Sequence, residues 1–389
     1  MRLALLIEQF DAEGGGAERS LGQIAGHLLE RGHQVTILAG IYHRRTVLQD
    51  IEVQSLFQGH RHSALAAWML AAWAGRRLAA ADFDASLSVT TGMSAAVVQP
   101  RGGTVLETLE RNVAMRRTSR ARMTKRLFIQ LSAKQQMLLR LERRVMRDPS
   151  VRRFVAVSRY VQRQLHEHYR IDPARIELIP NAADMPEPAQ RQRADWRRQV
   201  RRDFSVGRKA PVFLFAAHNP RLKGIEPLLH AVGLLRRRGE DATLIIAGRQ
   251  DYALVRMVAE QGIRDCVRFV GATNQMARLY AASDVTVLPT FYDPSSKVVI
   301  ESLMMGVPAI TTSFNGAADF LAGPGHAPRG VVIEDPADVE ALARAMSSLI
   351  DPAQRRRCAA ATVGLRDALS MSRHVDLLEA VLADVAAGR

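Results

Sequence analysis

The chain is poor in cysteine: two residues in 389, Cys266 and Cys358, far apart and in no metal-like spacing. That excludes a disulfide framework and fits two inert core thiols in a reducing compartment. No run of about 18 apolar residues is present to span a bilayer. The opening MRLALLIEQFDAEGGG starts like a signal peptide, but Glu8 cuts its apolar run after five residues. With no small-residue cleavage site following, a buried first strand is the expectation. The eleven histidines do not cluster; His166 and His168 lie two apart and so face different sides of a helix. No metal site is expected. Low-complexity tracts and short repeats are missing too.

Acidic residues are the remaining shortage: 39 Asp and Glu against 54 Lys and Arg, a net charge of +15. The excess is uneven. Between Arg111 and Arg153 fourteen Arg and Lys stand against Glu142 and Asp148, and a second cluster, RQRADWRRQVRRD, lies near mid-chain. Such asymmetry suggests an anionic partner: nucleic acid, an acidic membrane surface or a phosphorylated acceptor. No helix-turn-helix, zinc or RNP-like pattern supports nucleic acid, and charge alone leaves the glycine and carboxylate features below unexplained. The Leu, Phe, Ile and Met interleaved in KRLFIQLSAKQQMLLRLERRVM suit a helix lying on anionic lipid. A merely solvated helix face is the alternative.

A chain of 389 residues exceeds one ordinary core, so two domains are expected. RLALLIE, HQVTILAG, EVQSLF, DASLSVT, AAVVQPRGGT, FVAVS and IELIPNAAD read as strands of a first half, with helices over AERSLGQIAGHLLERG, residues 63–80, the basic segment and RYVQRQLHEHY. The polar stretch from Met185 to Pro211 reads as an interdomain linker with an exposed helix. VFLFAAH, TLIIAG, VRFVG, DVTVLP, PAITT and GVVIE then restart the pattern with helices between them. Strands alternating with helices, their apolar runs nearly continuous, imply parallel sheets buried on both faces. The expected class is α/β: two doubly wound, Rossmann-like domains.

Ligands of such sheets bind beyond the carboxyl ends of the strands. After the first strand stands EGGGAE, neither GxGxxG nor a Walker loop; Gly15 and Gly16 lead into a helix whose N–H groups suit an anion, or form a plain turn. After VFLFAAH, NPRLKG places Arg221 and Lys223 at a helix start, where they suit a diphosphate or make a solvated turn. After DVTVLP comes FYDPSSKVVIESLMMG, with Ser296 placed to cap a helix. Glu301 then falls on an apolar face, either pairing with Lys297 in the weaker Lys-before-Glu order or accepting hydrogen bonds from a polar ligand.

The span from Asp293 to Glu301, seven residues between carboxylates, resembles the E-x7-E motif of retaining nucleotide-sugar glycosyltransferases of family 4, which have the GT-B architecture and include the lipopolysaccharide core glucosyltransferases. EGGGAERSLGQIAGHLLERGHQVTIL is similar to that family's glycine turn and first helix, VAVSRYVQRQL with IELIPNAAD to its interdomain crossing, and RLKG to its phosphate-binding pair. The resemblance implies two domains facing a central cleft. Residues 1–183 would form the acceptor side, with 371–389 packing back on it, and 184–370 would hold the donor. Glu301 would bond the ribose, Arg221 and Lys223 the diphosphate, and Asp293 the sugar hydroxyls. Gly15, Gly16, Ser158, Arg159, Asn181, Gly248, Val270, Ser295, Ser296, Lys297 and Val298 would complete the donor site. Arg101 and Gly102 would lie on the acceptor side. Two letters depart from the family pattern: Asp293 is a methylene shorter than the usual Glu, and Arg101 stands where many relatives have His.

The implied reaction is metal-independent transfer of a hexose with retention, by front-face attack after departure of the nucleoside diphosphate. The donor is a UDP-sugar, UDP-glucose foremost, or GDP-mannose as the alternative. The acceptor is a lipopolysaccharide-core or other lipid-linked glycan at the cytoplasmic face of the membrane, and no cofactor is required. A degenerate member acting only as a binding partner is the other outcome.

Overall fold

The computed structural model describes residues 1–11, 14–43, 51–57, 64–207, 210–321 and 327–388. Glu13 of the expected glycine turn and the first residue of the helix expected over 63–80 lie outside them. The chain forms two compact units, one of Met1–Asn181 with Met371–Arg389 and one of Ala182–Ser370.

The first unit is built on seven strands: β1 (Arg2–Phe10), β2 (Gln34–Tyr42), β3 (Glu52–Phe57), β4 (Ala85–Ser88), β5 (Val97–Val98), β6 (Arg153–Ala156) and β7 (Ile176–Leu178). They are all parallel, in the order β3-β2-β1-β4-β5-β6-β7. β1 runs apolar from Leu3 to Ile7 because it lies in the middle of the sheet and is covered on both faces. AAVVQPRGGT yields only two strand residues, since Pro100 brings no backbone N–H to a ladder.

The basic segment is helical in two pieces, Ser119–Leu131 and Ala133–Arg147, after a helix Val105–Ala114. Glu142, buried in this cationic stretch, accepts the Val105 and Leu106 N–H groups (2.6 and 3.1 Å) and the Tyr169 hydroxyl. It thereby satisfies the orphan donors of a helix start. The closing helix Met371–Ala386 packs within this unit, with Arg31 2.5 Å from Asp376 and His33 2.8 Å from Glu379.

The second unit has six parallel strands: β8 (Val212–Ala217), β9 (Thr243–Gly248), β10 (Val267–Gly271), β11 (Val285–Leu288), β12 (Ala309–Thr312) and β13 (Gly330–Ile333), ordered β10-β9-β8-β11-β12-β13. The helix expected in the linker stretch runs over Gln190–Asp203 and belongs to this unit. Arg197 and Arg201 reach Asp284, just before β11, at 2.7 and 2.6 Å, and Val200 packs with Tyr280 and Leu214. Arg201 is buried, its charge answered by Asp284 and by the carbonyls of Ala282, Gly207 and Ala210. An exposed and a docked basic helix look alike in sequence, because the decisive acid lies some eighty residues away.

Candidate functional site

In each sheet the strand order reverses between two central neighbours, β1 and β4 in the first unit, β8 and β11 in the second. Chain leaving the carboxyl ends of such a pair lines a crevice. In the second unit these segments are residues 218–224 and 289–296, and side chains and backbone tie them together. Phe291 N donates to Leu222 O (2.9 Å), and Thr290 Oγ1 lies 3.2 Å from the same carbonyl. Gly224 closes the contact: its φ is +79°, and a Cβ there would lie 2.0 Å from Pro289 O. No other residue fits that position.

This approach sets Lys223 Nζ 2.6 Å from Asp293 Oδ2 and 3.1 Å from Tyr292 O. Asp293 Oδ1 accepts Ser295 N–H at 3.2 Å. The expected phosphate ligand and the expected sugar ligand are thus an ion pair, both largely buried. Arg221, two residues earlier, is exposed, and its guanidinium makes no ion pair or hydrogen bond among the described residues.

Ser296 is the N-cap of the helix Lys297–Met304, but its side chain makes no capping bond. Its N–H donates instead to Asn315 Oδ1 at 3.1 Å, and that oxygen also accepts Ala317 N–H. Of the N–H groups expected for a ligand, on Ser296 to Val298, that of Ser296 is therefore engaged internally. Glu301, one turn on, accepts from the Tyr280 hydroxyl at 2.9 Å. Tyr280 OH also lies 3.1 Å from Val298 O, and burial together with the Glu301 charge raises its pKa well above that of an ordinary phenol. It stays protonated and holds the carboxylate in place.

Gly248 ends β9 at φ +129°, with a Cβ position 2.1 Å from Ala217 O, so its glycine lets two strand ends close up. Val270 in β10 packs against the cluster containing Leu279 and Tyr280.

In the first unit Gly15 is the N-cap of the helix Gly16–Glu30, and its N–H is held by the Glu18 carboxylate. Gly16 has open space where a side chain would stand. Ser158 caps the helix Arg159–Tyr169 through Val161 N–H (3.2 Å), with Arg159 exposed in its first turn. Asn181 N donates to Val157 O, and its Oδ1 takes Arg101 Nη2 at 2.5 Å. Arg101 Nη1 reaches Gln99 Oε1 (2.9 Å) and His374 Nε2 (3.3 Å), while His374 Nδ1 lies 2.7 Å from Pro180 O. Burial lowers the Arg101 pKa to about 10, which leaves it charged at neutral pH. Gly102 begins the turn into the helix Val105–Ala114 beside this network. His168 joins Glu107 and Glu110, but Glu107 already accepts from Tyr160 OH (2.7 Å) and pairs with Arg111 (2.9 Å).

Sequence reasoning missed Tyr280, Asn315, Gln99 and His374. MARLYAAS reads as a helix and, by the family resemblance, lies where the nucleotide base is held; that its Tyr would orient Glu301 was missed, although a Tyr in a short apolar helix needs a partner for its hydroxyl. Nothing marked the other three.

Comparison with known proteins follows the same division. Residues 14–186 match the family model "Glycosyltransferase Family 4" and residues 210–352 match "Glycosyl transferases group 1". A D-inositol 3-phosphate glycosyltransferase of Pseudarthrobacter chlorophenolicus is 29% identical over 174 residues, covering 42% of this chain and 40% of that protein. The chain spans about half the length, or less, of the curated relatives it matches. Among solved structures, WaaG, a glycosyltransferase involved in lipopolysaccharide biosynthesis, superposes with TM-score 0.79 at 18% identity, over 98% of this chain and 99% of its own. Anabaena Alr3699/HepE in complex with UDP-glucose gives 0.70 at 16% identity, over 99% and 100%. Those two likenesses establish the fold, and the matched segments account for both units. The chain belongs to the family 4 and group 1 glycosyltransferases of GT-B architecture.

Proposed function

We propose that the protein is a retaining hexosyltransferase that moves glucose or a related hexose from a UDP-sugar to a hydroxyl of a lipopolysaccharide-core or other lipid-linked, phosphorylated glycan. The observation that carries this reading is Arg221, unpaired among the described residues, beside the Lys223–Asp293 pair, with Glu301 held by Tyr280 in the same unit. Arg221 and Lys223 supply two positive charges where a diphosphate needs them, so the reaction requires no metal. Glu301 accepts the ribose hydroxyls, and Asp293 the hydroxyls of the sugar.

When the bond from the anomeric carbon to the diphosphate oxygen breaks, negative charge grows on that oxygen and the two cations offset it. The acceptor hydroxyl attacks the same face, forms the new carbon–oxygen bond and gives its proton to the departing diphosphate. Catalysis is then mainly positioning and charge neutralisation. The UDP-glucose complex of HepE and the D-inositol 3-phosphate glycosyltransferase name support a UDP donor and a phosphorylated acceptor, respectively.

No described helix is long and apolar enough to cross a membrane. Attachment would come instead from the helix Ser119–Leu131, whose Met123, Leu127, Phe128 and Leu131 are exposed beside Arg122, Lys125 and Arg126. That arrangement fits peripheral attachment to the cytoplasmic face of the membrane.

A thermal-shift panel of UDP-, GDP- and ADP-sugars tests the donor, because a ligand that binds only the folded state raises Tm by mass action. UDP-glucose should give the largest rise, and UDP release should survive EDTA. A larger shift with GDP-mannose, or a strict need for Mg2+, would overturn the donor or the metal-free mechanism.

A further inference from the structure

Glu8 is the charge that interrupts the first apolar strand, and no cation pairs with it among the described residues. It sits at the carboxyl end of β1, the strand at which the first sheet reverses order, beside β4. With Ala4 and Leu6 it shares the alternate face of the strand, the face on which those two join Leu70 and Ala74 of the helix Ala64–Ala80 in a core cluster. Thr90, just past β4, donates its hydroxyl to Glu8 Oε1. Gly92 then passes so close that a Cβ there would lie 3.1 Å from the same oxygen. The carboxylate is thereby held, with an exposed edge, at the mouth of the switch point.

In a chain with 54 Lys and Arg, Glu8 forms no ion pair among the described residues. Crowding by its surroundings raises its pKa, and the Thr90 hydroxyl and a backbone hydrogen bond only partly offset this. A carboxylate held so, open to solvent at the carboxyl ends of two central strands, is placed to meet a ligand. Its chemistry limits that ligand. A carboxylate accepts hydrogen bonds and repels phosphate, so the group it meets is a hydroxyl donor. Elsewhere the cationic surface of this unit is left for phosphates.

We propose that Glu8 grips the acceptor, binding hydroxyls of a sugar or cyclitol ring at the carboxyl ends of β1 and β4 while any phosphate on that acceptor lies away from it. This rests on the transferase reading above and adds the acceptor's contact residue and class.

The test compares wild type with Glu8→Gln and Glu8→Ala, following UDP release from UDP-glucose. The acceptor probes are 1D-myo-inositol 3-phosphate and O-deacylated lipopolysaccharide core. One of the two polyols should stimulate release by wild type. Glu8→Gln should then raise KM for that polyol tenfold or more, leave KM for UDP-glucose unchanged, and leave Tm unchanged or higher. A merely structural Glu8 would show the opposite, a lower Tm with unchanged acceptor KM, and that result overturns the assignment. Failure of both polyols to stimulate an enzyme that binds UDP-glucose overturns the acceptor class alone. Absence of any UDP-glucose binding by wild type instead overturns the transferase reading, and this inference with it.

Discussion

Lys223 holds a carboxylate, Asp293, in the structure itself. Its Nζ lies 2.6 Å from Asp293 Oδ2, with both side chains mostly out of water. Removing one member of such a pair strands the other, so Lys223→Ala should lose on the order of 2–3 kcal/mol of stability, less than for a fully buried pair because each side chain keeps some solvent contact. It should also lose about 100-fold in turnover, because a cation that acts on the leaving diphosphate acts most in the transition state. The two losses have separate origins, and Lys223→Met with Asp293→Asn separates them. The double variant should recover most of the stability in urea unfolding while its turnover stays low. Recovery of both would mean that Lys223 serves only to hold Asp293. The shorter Asp at 293 then has a structural reading: it reaches Lys223 and caps Ser295 N–H at once.

At the scale of the elements, the strands were legible because burial on both faces leaves nearly unbroken apolar runs, as in VFLFAA and TLIIAG. The helix Gln190–Asp203 was expected, but its docking through Arg197 and Arg201 was not, because their partner, Asp284, is remote in sequence. The site was legible where a short stretch carries it. Arg221 with Lys223, and Asp293 with Glu301, are local patterns placed by strand ends. Tyr280 under Glu301 and His374 against Arg101 are 21 and 273 residues away, and only the packing of whole elements brings them in.

The join between the two loops depends on Gly224, so it predicts a steep cost for one methyl group. Gly224→Ala meets both a positive φ and a Cβ position 2.0 Å from Pro289 O. A loss of about 3 kcal/mol or more follows, with UDP-glucose binding impaired because Arg221 and Lys223 move with the loop. Gly262→Ala is the control: its φ is +66° but nothing lies within 4 Å of the added carbon, so only the backbone term of about 1 kcal/mol applies. Urea unfolding of the two variants checks this, and equal losses would show that the Pro289 contact is not what requires glycine.

For the whole molecule the charge is what needs a partner. A net +15 with fourteen basic residues between Arg111 and Arg153 attracts any polyanion, DNA included. The helix Ser119–Leu131 separates these partners, because it exposes Met123, Leu127, Phe128 and Leu131, and Lys125 Nζ lies 5.2 Å from the Phe128 ring centroid. An exposed apolar stripe gains nothing from a phosphate backbone but inserts readily between lipid headgroups. The protein should therefore co-sediment with phosphatidylglycerol vesicles and not with pure phosphatidylcholine. Raising salt from about 0.1 M to about 1 M shortens the Debye length from about 10 Å to about 3 Å, and should weaken binding without abolishing it. Replacing Arg122, Lys125 and Arg126 with Gln should remove the salt-sensitive part. Leu127→Asp with Phe128→Asp should remove the part that survives high salt. Binding lost entirely at high salt in wild type, and unchanged by the Asp pair, would make the stripe irrelevant and return the basic segment to a purely electrostatic role, for which a DNA fragment would compete as well as the vesicles bind.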